Sequence, residues 1–307
     1  MEFINFYLLP GIVLGSIYAL GAIGVSLVFG ILRFANFAHG ELMLIGAYIT
    51  YSLFQFTGLH PLAVLPLAMV LTSFIALGID HTFYKPFRNS KTTIVIVASF
   101  GIALMARSAV QIIWGVDTFS YSSGRIEMPI VLFGGLRIFM KHVWIVSCSI
   151  GLMLCIHTIL SYTRIGKAMR AMSDSAELAR LTGIETEKVV RATWILGASL
   201  AAAAGVFLGL DSHLHSMMGF YMLLPMFAAA ILGGIGQPYG AMVGGLVVGL
   251  AEELSSYPWL GDSPLLPPSF FGPDCQLPRP HVTRSWRRFP RELLSQRCWP
   301  RRPWVLA

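Results

Sequence analysis

The chain alternates long apolar runs with short polar ones. The apolar runs occupy about residues 7–30, 37–56, 61–84, 93–114, 143–162, 191–210, 219–235 and 238–254. A helix needs about 20 mainly apolar residues to cross a hydrocarbon core about 30 Å thick. Most of the runs reach about that length, and 219–235 is marginal. The pattern predicts an all-α fold, a polytopic transmembrane helical bundle of about eight segments. Gly and Pro interrupt several runs, which membrane helices tolerate because neighbouring groups re-satisfy the freed backbone. Gly11 and Gly15, Gly205 and Gly209, and Gly240 and Gly244 stand four apart. That spacing predicts close approach of helix backbones.

Two polar stretches orient the bundle. One is 85–91, with Lys85, Arg88 and Lys91. The other is 163–191, with Arg164, Lys167, Arg170, Arg180, Lys188 and Arg191. Basic loops stay in the cytoplasm, and two apolar runs separate these stretches, so both fit the inner side. The linker 115–142 then faces outward, although it carries Arg125, Arg137 and Lys141. Three spans before residue 85 place the N-terminus outside, whereas a re-entrant 37–56 would place it inside. The start Met1-Glu2-Phe3-Ile4-Asn5 has no basic n-region and no small-residue cleavage site follows, so the first run reads as a retained helix.

Composition agrees with a membrane solvent. The 307 residues are 55% hydrophobic and 12% charged, against about 25% charged in a soluble domain. The net charge of +7 is uneven, +1 through Ser263 and +6 from Pro264 onward. The basic character belongs to the end of the chain, and no nucleic-acid face is expected. Two regions follow: a membrane domain over 1–263, and a Pro/Arg-rich tail over 264–307 in which no spanning helix is expected. Cys148 and Cys155 share one run and read as buried apolar thiols. Cys275 and Cys298 lie in the tail, and no spacing suggests a metal site.

Three segments carry candidate chemistry. In Arg33-Phe34-Ala35-Asn36-Phe37-Ala38-His39-Gly40-Glu41 a polar cluster separates two apolar runs. Asn36 and His39 would share a helix face, and Glu41 would sit where a helix dipole favours an anion. The segment reads either as a capped connecting turn or as a helix break lining a transport path. A second break, Gly233-Gly234-Ile235-Gly236-Gln237-Pro238-Tyr239-Gly240, could serve the same path. The third segment, 163–184, suits a short amphipathic helix through Ala171, Leu178, Ala179 and Leu181, with Gly183 as its C-terminal cap. It reads as an ordinary loop or as a helix docking into a cytoplasmic motor. Asp80, His81 and Asp211 sit near run ends and read as interfacial. Arg107 lies deeper, as a packing or path residue. No G-x-x-x-x-G-K-[ST] occurs, so no P-loop ATPase is expected in this chain.

Gly15-Ser16-Ile17-Tyr18-Ala19-Leu20, Asn36 through Glu41, and Gly46-Ala47-Tyr48 resemble the branched-chain amino-acid ABC permeases. Gly166-Lys167-Ala168-Met169-Arg170-Ala171 with Ala179 and Gly183 resembles their cytoplasmic coupling loop. Gly233-Gly234-Ile235-Gly236, Gly240-Ala241 and Gly244-Gly245 resemble their late Gly-rich segment. The resemblance spans about residues 7–262. It implies a subunit of the bacterial inner membrane that works beside a second homologous permease, two cytoplasmic ATP-binding subunits and a periplasmic substrate-binding protein. ATP would be used by those partners, with no cofactor and no metal in this chain. From the two breaks and the deep charge, the expected path residues are Asn36, His39, Gly40, Glu41, Arg107, Gly233, Gly234 and Gly236. The implied ATPase-coupling residues are Arg164, Gly166, Arg170, Ala171, Asp174, Ala179 and Gly183. Urea and short-chain amide permeases share the pattern. An ion-coupled secondary transporter is the rival of a different class, and it should carry more carboxylates or His near helix centres. Members of the family continue past a segment like 257–261 into a final apolar helix. The Pro/Arg-rich tail found here is what an out-of-frame reading of GC-rich DNA would give.

Overall fold

In the computed structural model, residues 3–88, 90–121, 130–132 and 136–255 are described. All eight apolar runs are helical. They are α1 (Leu9–Leu32), α2 (His39–Thr57), α3 (Pro61–Ile79), α4 (Thr92–Trp114), α5 (Met140–Tyr162), α8 (Thr186–Asp211), α9 (Met218–Leu232) and α10 (Pro238–Ser255). A π turn, Ile4–Leu8, precedes α1. A second, Asp80–Tyr84, extends α3 into a last turn, Lys85–Phe87. Between α5 and α8 lie two short helices, α6 (Arg164–Asp174) and α7 (Ala176–Leu181). The outer linker contributes an antiparallel pair, β1 (Ile130–Leu132) with β2 (Leu136–Ile138), which hydropathy alone did not indicate. Five helical runs among the described residues are long and apolar enough to cross a membrane. They are Ile4–Leu32, Pro61–Phe87, Thr92–Trp114, Met140–Tyr162 and Thr186–Asp211.

Helices α1 and α8 form the centre. α1 packs on α10, α8, α9 and α5, and α8 also carries α2 and α3. Both central helices are apolar around most of their circumference, as fully surrounded helices must be. By contrast α3, α4 and α5 keep apolar faces exposed, among them Phe74, Val97 and Leu154. This peripheral position corrects one expectation: Cys148 is half-buried and Cys155 exposed on α5.

The tightest seam joins α1 to α10. A Cβ at Gly245 would lie 2.4 Å from Ala19 Cα, and one at Gly249 would lie 2.3 Å from Gly15 Cα. The small residues let the backbones touch. Gly249→Val should therefore destabilise the subunit by at least about 1–3 kcal/mol through overpacking. A thermal midpoint in detergent equal to that of wild type would refute this.

The two ends of the bundle separate by charge. Arg88 binds Asp80 at 2.7 and 3.0 Å and Glu187 at 2.7 Å, so both basic stretches share one end, called inner below. At the other end Lys141 Nζ donates to the Asp211 carbonyl at 2.7 Å, and His142 Nε2 lies 3.1 Å from the Asp211 carboxylate. Lys141 of the outer linker thus has its counter-charge at the end of α8. Arg125 and the tail 264–307 lie outside the described residues. The N-terminal π turn packs by β2, at the outer end, as the three-span count requires.

Candidate functional site

The break between α1 and α2 is built by specific hydrogen bonds. Arg33 ends α1 in the left-handed region, φ +59°, with its N–H on the Phe29 carbonyl at 2.9 Å. The Asn36 side-chain oxygen accepts from the Ala38 N–H at 3.0 Å and from the Tyr84 hydroxyl at 2.8 Å. The first bond is the local turn that Asn favours, and the second ties the loop to the π turn after α3. Tyr84 in turn lies between Phe34 and Trp194, with ring centroids 5.4 and 5.0 Å away. From α4, Ser99 Oγ accepts the Phe37 N–H at 3.3 Å.

Beyond the break, His39 is fully enclosed against α1 at Gly24, where a Cβ would fall 2.7 Å from the ring. Glu41 is 1% exposed, and its Oε1 accepts from Arg107 of α4, both from Nε at 3.1 Å and from Nη2. The Arg107 guanidinium also stands 4.9 Å from the centroid of Phe220, within cation–π range. Asn36 Nδ2, Glu41 Oε2 and Trp194 Nε1 are buried with no hydrogen-bond partner among the described residues. Such groups cost about 1–3 kcal/mol each when left unsatisfied. Asn36 and Glu41 belong to the break itself, and Trp194 packs on the Tyr84 ring whose hydroxyl bonds Asn36.

A second break, missed from sequence, meets the first. After α8 the chain turns through 212–217 and restarts as α9, whose Gly219 touches Gly40. A Cβ on either glycine would lie 2.3 Å from the other's carbonyl oxygen. Gln111 of α4 donates to Ser216 Oγ at 3.2 Å, so α4 reaches both breaks. The arrangement is a repeat. α1, a six-residue break, α2 and α3 correspond to α8, a six-residue break, α9 and α10. α1 runs toward the inner end and α8 away from it, so the two halves are inverted. One signal was available: Gly40, Met43 and Leu44 match Gly219, Met222 and Leu223 in spacing and identity.

The Gly-rich stretch lies elsewhere. Gly233, Gly234 and Gly236 form the turn between α9 and α10, where Gly234 and Gly236 take φ +96° and +84°. Gly236 rests against Gly30, whereas His39 rests against Gly24. Six residues of α1 make about 9 Å, so the two Gly-containing breaks do not share one level. They read as an inner-end turn and a deeper break.

The segment 163–184 folds as two helices rather than one. The Thr163 hydroxyl caps α6 by accepting the Gly166 N–H at 3.0 Å, and the Ser175 hydroxyl accepts the Leu178 N–H at 3.4 Å to start α7. Two Ncap hydroxyls so close together split the segment. Gly166 packs tightly on the end of α5, and Gly183, φ +82°, ends α7. Arg164, Arg170 and Asp174 are exposed and Ala171 is half-buried. Ala179 turns inward at 3% exposure, while Leu178 and Leu181 stand out at 64% and 84%. The leucines, not Ala179, present the apolar surface.

Comparison with known proteins gives the family. The family described as branched-chain amino acid transport system, permease component, matches residues 7–264. The high-affinity branched-chain amino acid transport permease LivH of Escherichia coli K12 is 35% identical over 268 residues, covering 80% of this chain and 84% of its own. BraD of Pseudomonas aeruginosa is 32% identical, covering 81% and 85%. A probable LivH of Methanocaldococcus jannaschii is 28% identical, covering 80% and 79%. No solved structure matches. The chain belongs to the permease-component family of branched-chain amino acid transport systems.

Proposed function

We propose that this multi-pass inner-membrane permease is the membrane-spanning subunit of an ATP-binding-cassette importer for branched-chain amino acids. It works with a second related permease, two cytoplasmic ATPases and a periplasmic binding protein. The observation that carries the reading is the meeting of α2 and α9, of 19 and 15 residues, whose N-termini touch inside the bundle beside buried polar groups that have no partner among the described residues. Broken helices at mid-depth are where transporters hold polar substrates. Asn36, His39, Gly40 and Glu41 line this path, Arg107 closes it on one side, and the turn with Gly233, Gly234 and Gly236 shapes its inner mouth. Glu41 offers an acceptor to an ammonium group, and Arg107 offers a planar donor fork to a carboxylate. Those are the two charged ends of an amino acid, which favours that substrate over urea.

Partner ATPases supply the energy. Their closure moves α6 and α7, which carry Arg164, Gly166, Arg170, Ala171, Asp174 and Gly183, and the path then opens alternately to either side. The contact is made by the exposed Leu178 and Leu181 of α7 and the exposed Arg170 of α6. Replacing both leucines with Asp should cut binding-protein-stimulated ATP hydrolysis by about fivefold or more, within the usual range of coupling energies. Unchanged stimulation and assembly would remove the segment from the interface. The reading as a whole is tested in proteoliposomes holding all four kinds of subunit. ATP should drive uptake of labelled leucine, and collapse of ion gradients should leave it intact. Uptake of urea in place of leucine would assign the amide alternative, and loss of uptake with the gradients would assign an ion-coupled carrier.

A further inference from the structure

Arg33 sits between the coupling segment and the path. Its guanidinium Nη2 donates to the main-chain carbonyl of Ser173, near the C-terminal end of α6. The last carbonyls of a helix have no partner within it, and a cation there also meets the negative end of the helix dipole. Three residues further on from Arg33 comes Asn36, the side chain that shapes the break.

Two further observations place this contact on a mechanical line. Arg33 is the one non-glycine residue with positive φ among the described residues. This backbone is uncommon for a side-chain-bearing residue, and such conformations persist where the surroundings hold them. Around the same carbonyl, Ser173 Oγ approaches both Gly30 of α1 and Gly236 of the α9–α10 turn. Cβ atoms there would lie 3.2 and 3.7 Å from it. The end of α6 therefore bears on the last turn of α1 and on the inner mouth together. A cavity of about 250 Å³, lined by Gly30, Arg170, Ser173 and Gly236 among others, leaves room beside the contact for α6 to shift. The hinge is adjacent, because Ser175 separates α6 from α7 and its exposed leucines.

We propose that Arg33 is a positioning residue that transmits displacement of the coupling helix α6 to the α1–α2 break. This rests on the reading of α6 and α7 as the ATPase contact. Pulled by the Ser173 carbonyl, Arg33 rotates the end of α1 and carries Asn36 with it. Without the guanidinium, α6 moves and the break does not follow.

The test uses the complete reconstituted complex with loaded binding protein, reading leucine uptake and ATP hydrolysis together. Arg33→Gly removes the guanidinium while accepting the left-handed backbone better than Arg does, so folding is not put at risk. Hydrolysis should persist while leucine moved per ATP falls about tenfold, a typical coupling between sites. Arg33→Lys keeps a cation at the helix end and should retain a ratio well above that of Arg33→Gly. A wild-type ratio in Arg33→Gly overturns the proposal. So does loss of hydrolysis together with uptake, which would put Arg33 in the ATPase contact itself, or an Arg33→Lys variant as uncoupled as Arg33→Gly. The double Leu178→Asp, Leu181→Asp variant separates the two levels. If it hydrolyses and transports normally, the coupling segment is misassigned. If it fails while Arg33→Gly transports normally, the link alone is wrong.

Discussion

Glu41→Gln alone should destabilise the subunit by about 3–5 kcal/mol, because it strands the partner of a buried ion pair. Glu41 is almost wholly enclosed and the Arg107 side chain is 12% exposed, so water reaches neither well. Arg107→Met should cost a similar amount from the other side, and it also removes the guanidinium over Phe220. The double variant, Glu41→Gln with Arg107→Met, leaves no charge unpaired and should regain most of the stability, since neutral replacements of buried pairs are often nearly cost-free. Transport should behave differently. If the pair receives the charged ends of the substrate, the double variant folds and assembles yet moves little leucine. Thermal unfolding of the purified complex and uptake by the same preparation decide it. A double variant as unstable as either single one would show that the two groups do not act as a pair. Restored uptake alongside restored stability would reduce the pair to a structural clamp.

The legible part of this molecule is its hydropathy. Each apolar run became a helix because in hydrocarbon a segment must satisfy its backbone internally. That the two basic stretches share one end was also legible, since Arg88 and Glu187 join them. What escaped was whatever depends on contact between distant segments. The break at 212–217 carries neither the glycines nor the prolines that drew attention to 233–240. It is a break because Gly219 must reach Gly40, a fact held in three dimensions. Ala179 and Leu178 are neighbours in an apparently amphipathic stretch, and composition does not say which one faces inward. The Ncap hydroxyl of Ser175 starts a new helix and resets the phase of that face. Arg107 was visible as a deep charge, but its partner Glu41 lies 66 positions away.

Gly219→Val should abolish transport. The argument is steric and does not depend on which substrate is carried. At Gly219 any Cβ would stand 2.3 Å from the Gly40 carbonyl oxygen and 3.2 Å from Leu44 Cβ, and the obstructing oxygen is backbone, which cannot swing aside as a side-chain tip can. A valine adds two methyl groups to that overlap, so α9 must back away from α2 by the better part of a side chain. Separation of the two N-termini would pull Phe220 off Arg107 and Ser216 off Gln111, undoing the site from both sides. Gly219→Ala should show a partial form of the same defect, with lowered uptake and a lowered thermal midpoint. The reciprocal change, Gly40→Ala, presses on Gly219 from the other side and should resemble it. Because the two residues make one contact, the double Ala variant should differ from the sum of the singles, and a double-variant cycle on unfolding midpoints measures that coupling. Additive effects, or a Gly219→Val complex that transports leucine at the wild-type rate, would mean that α2 and α9 do not meet in the working transporter.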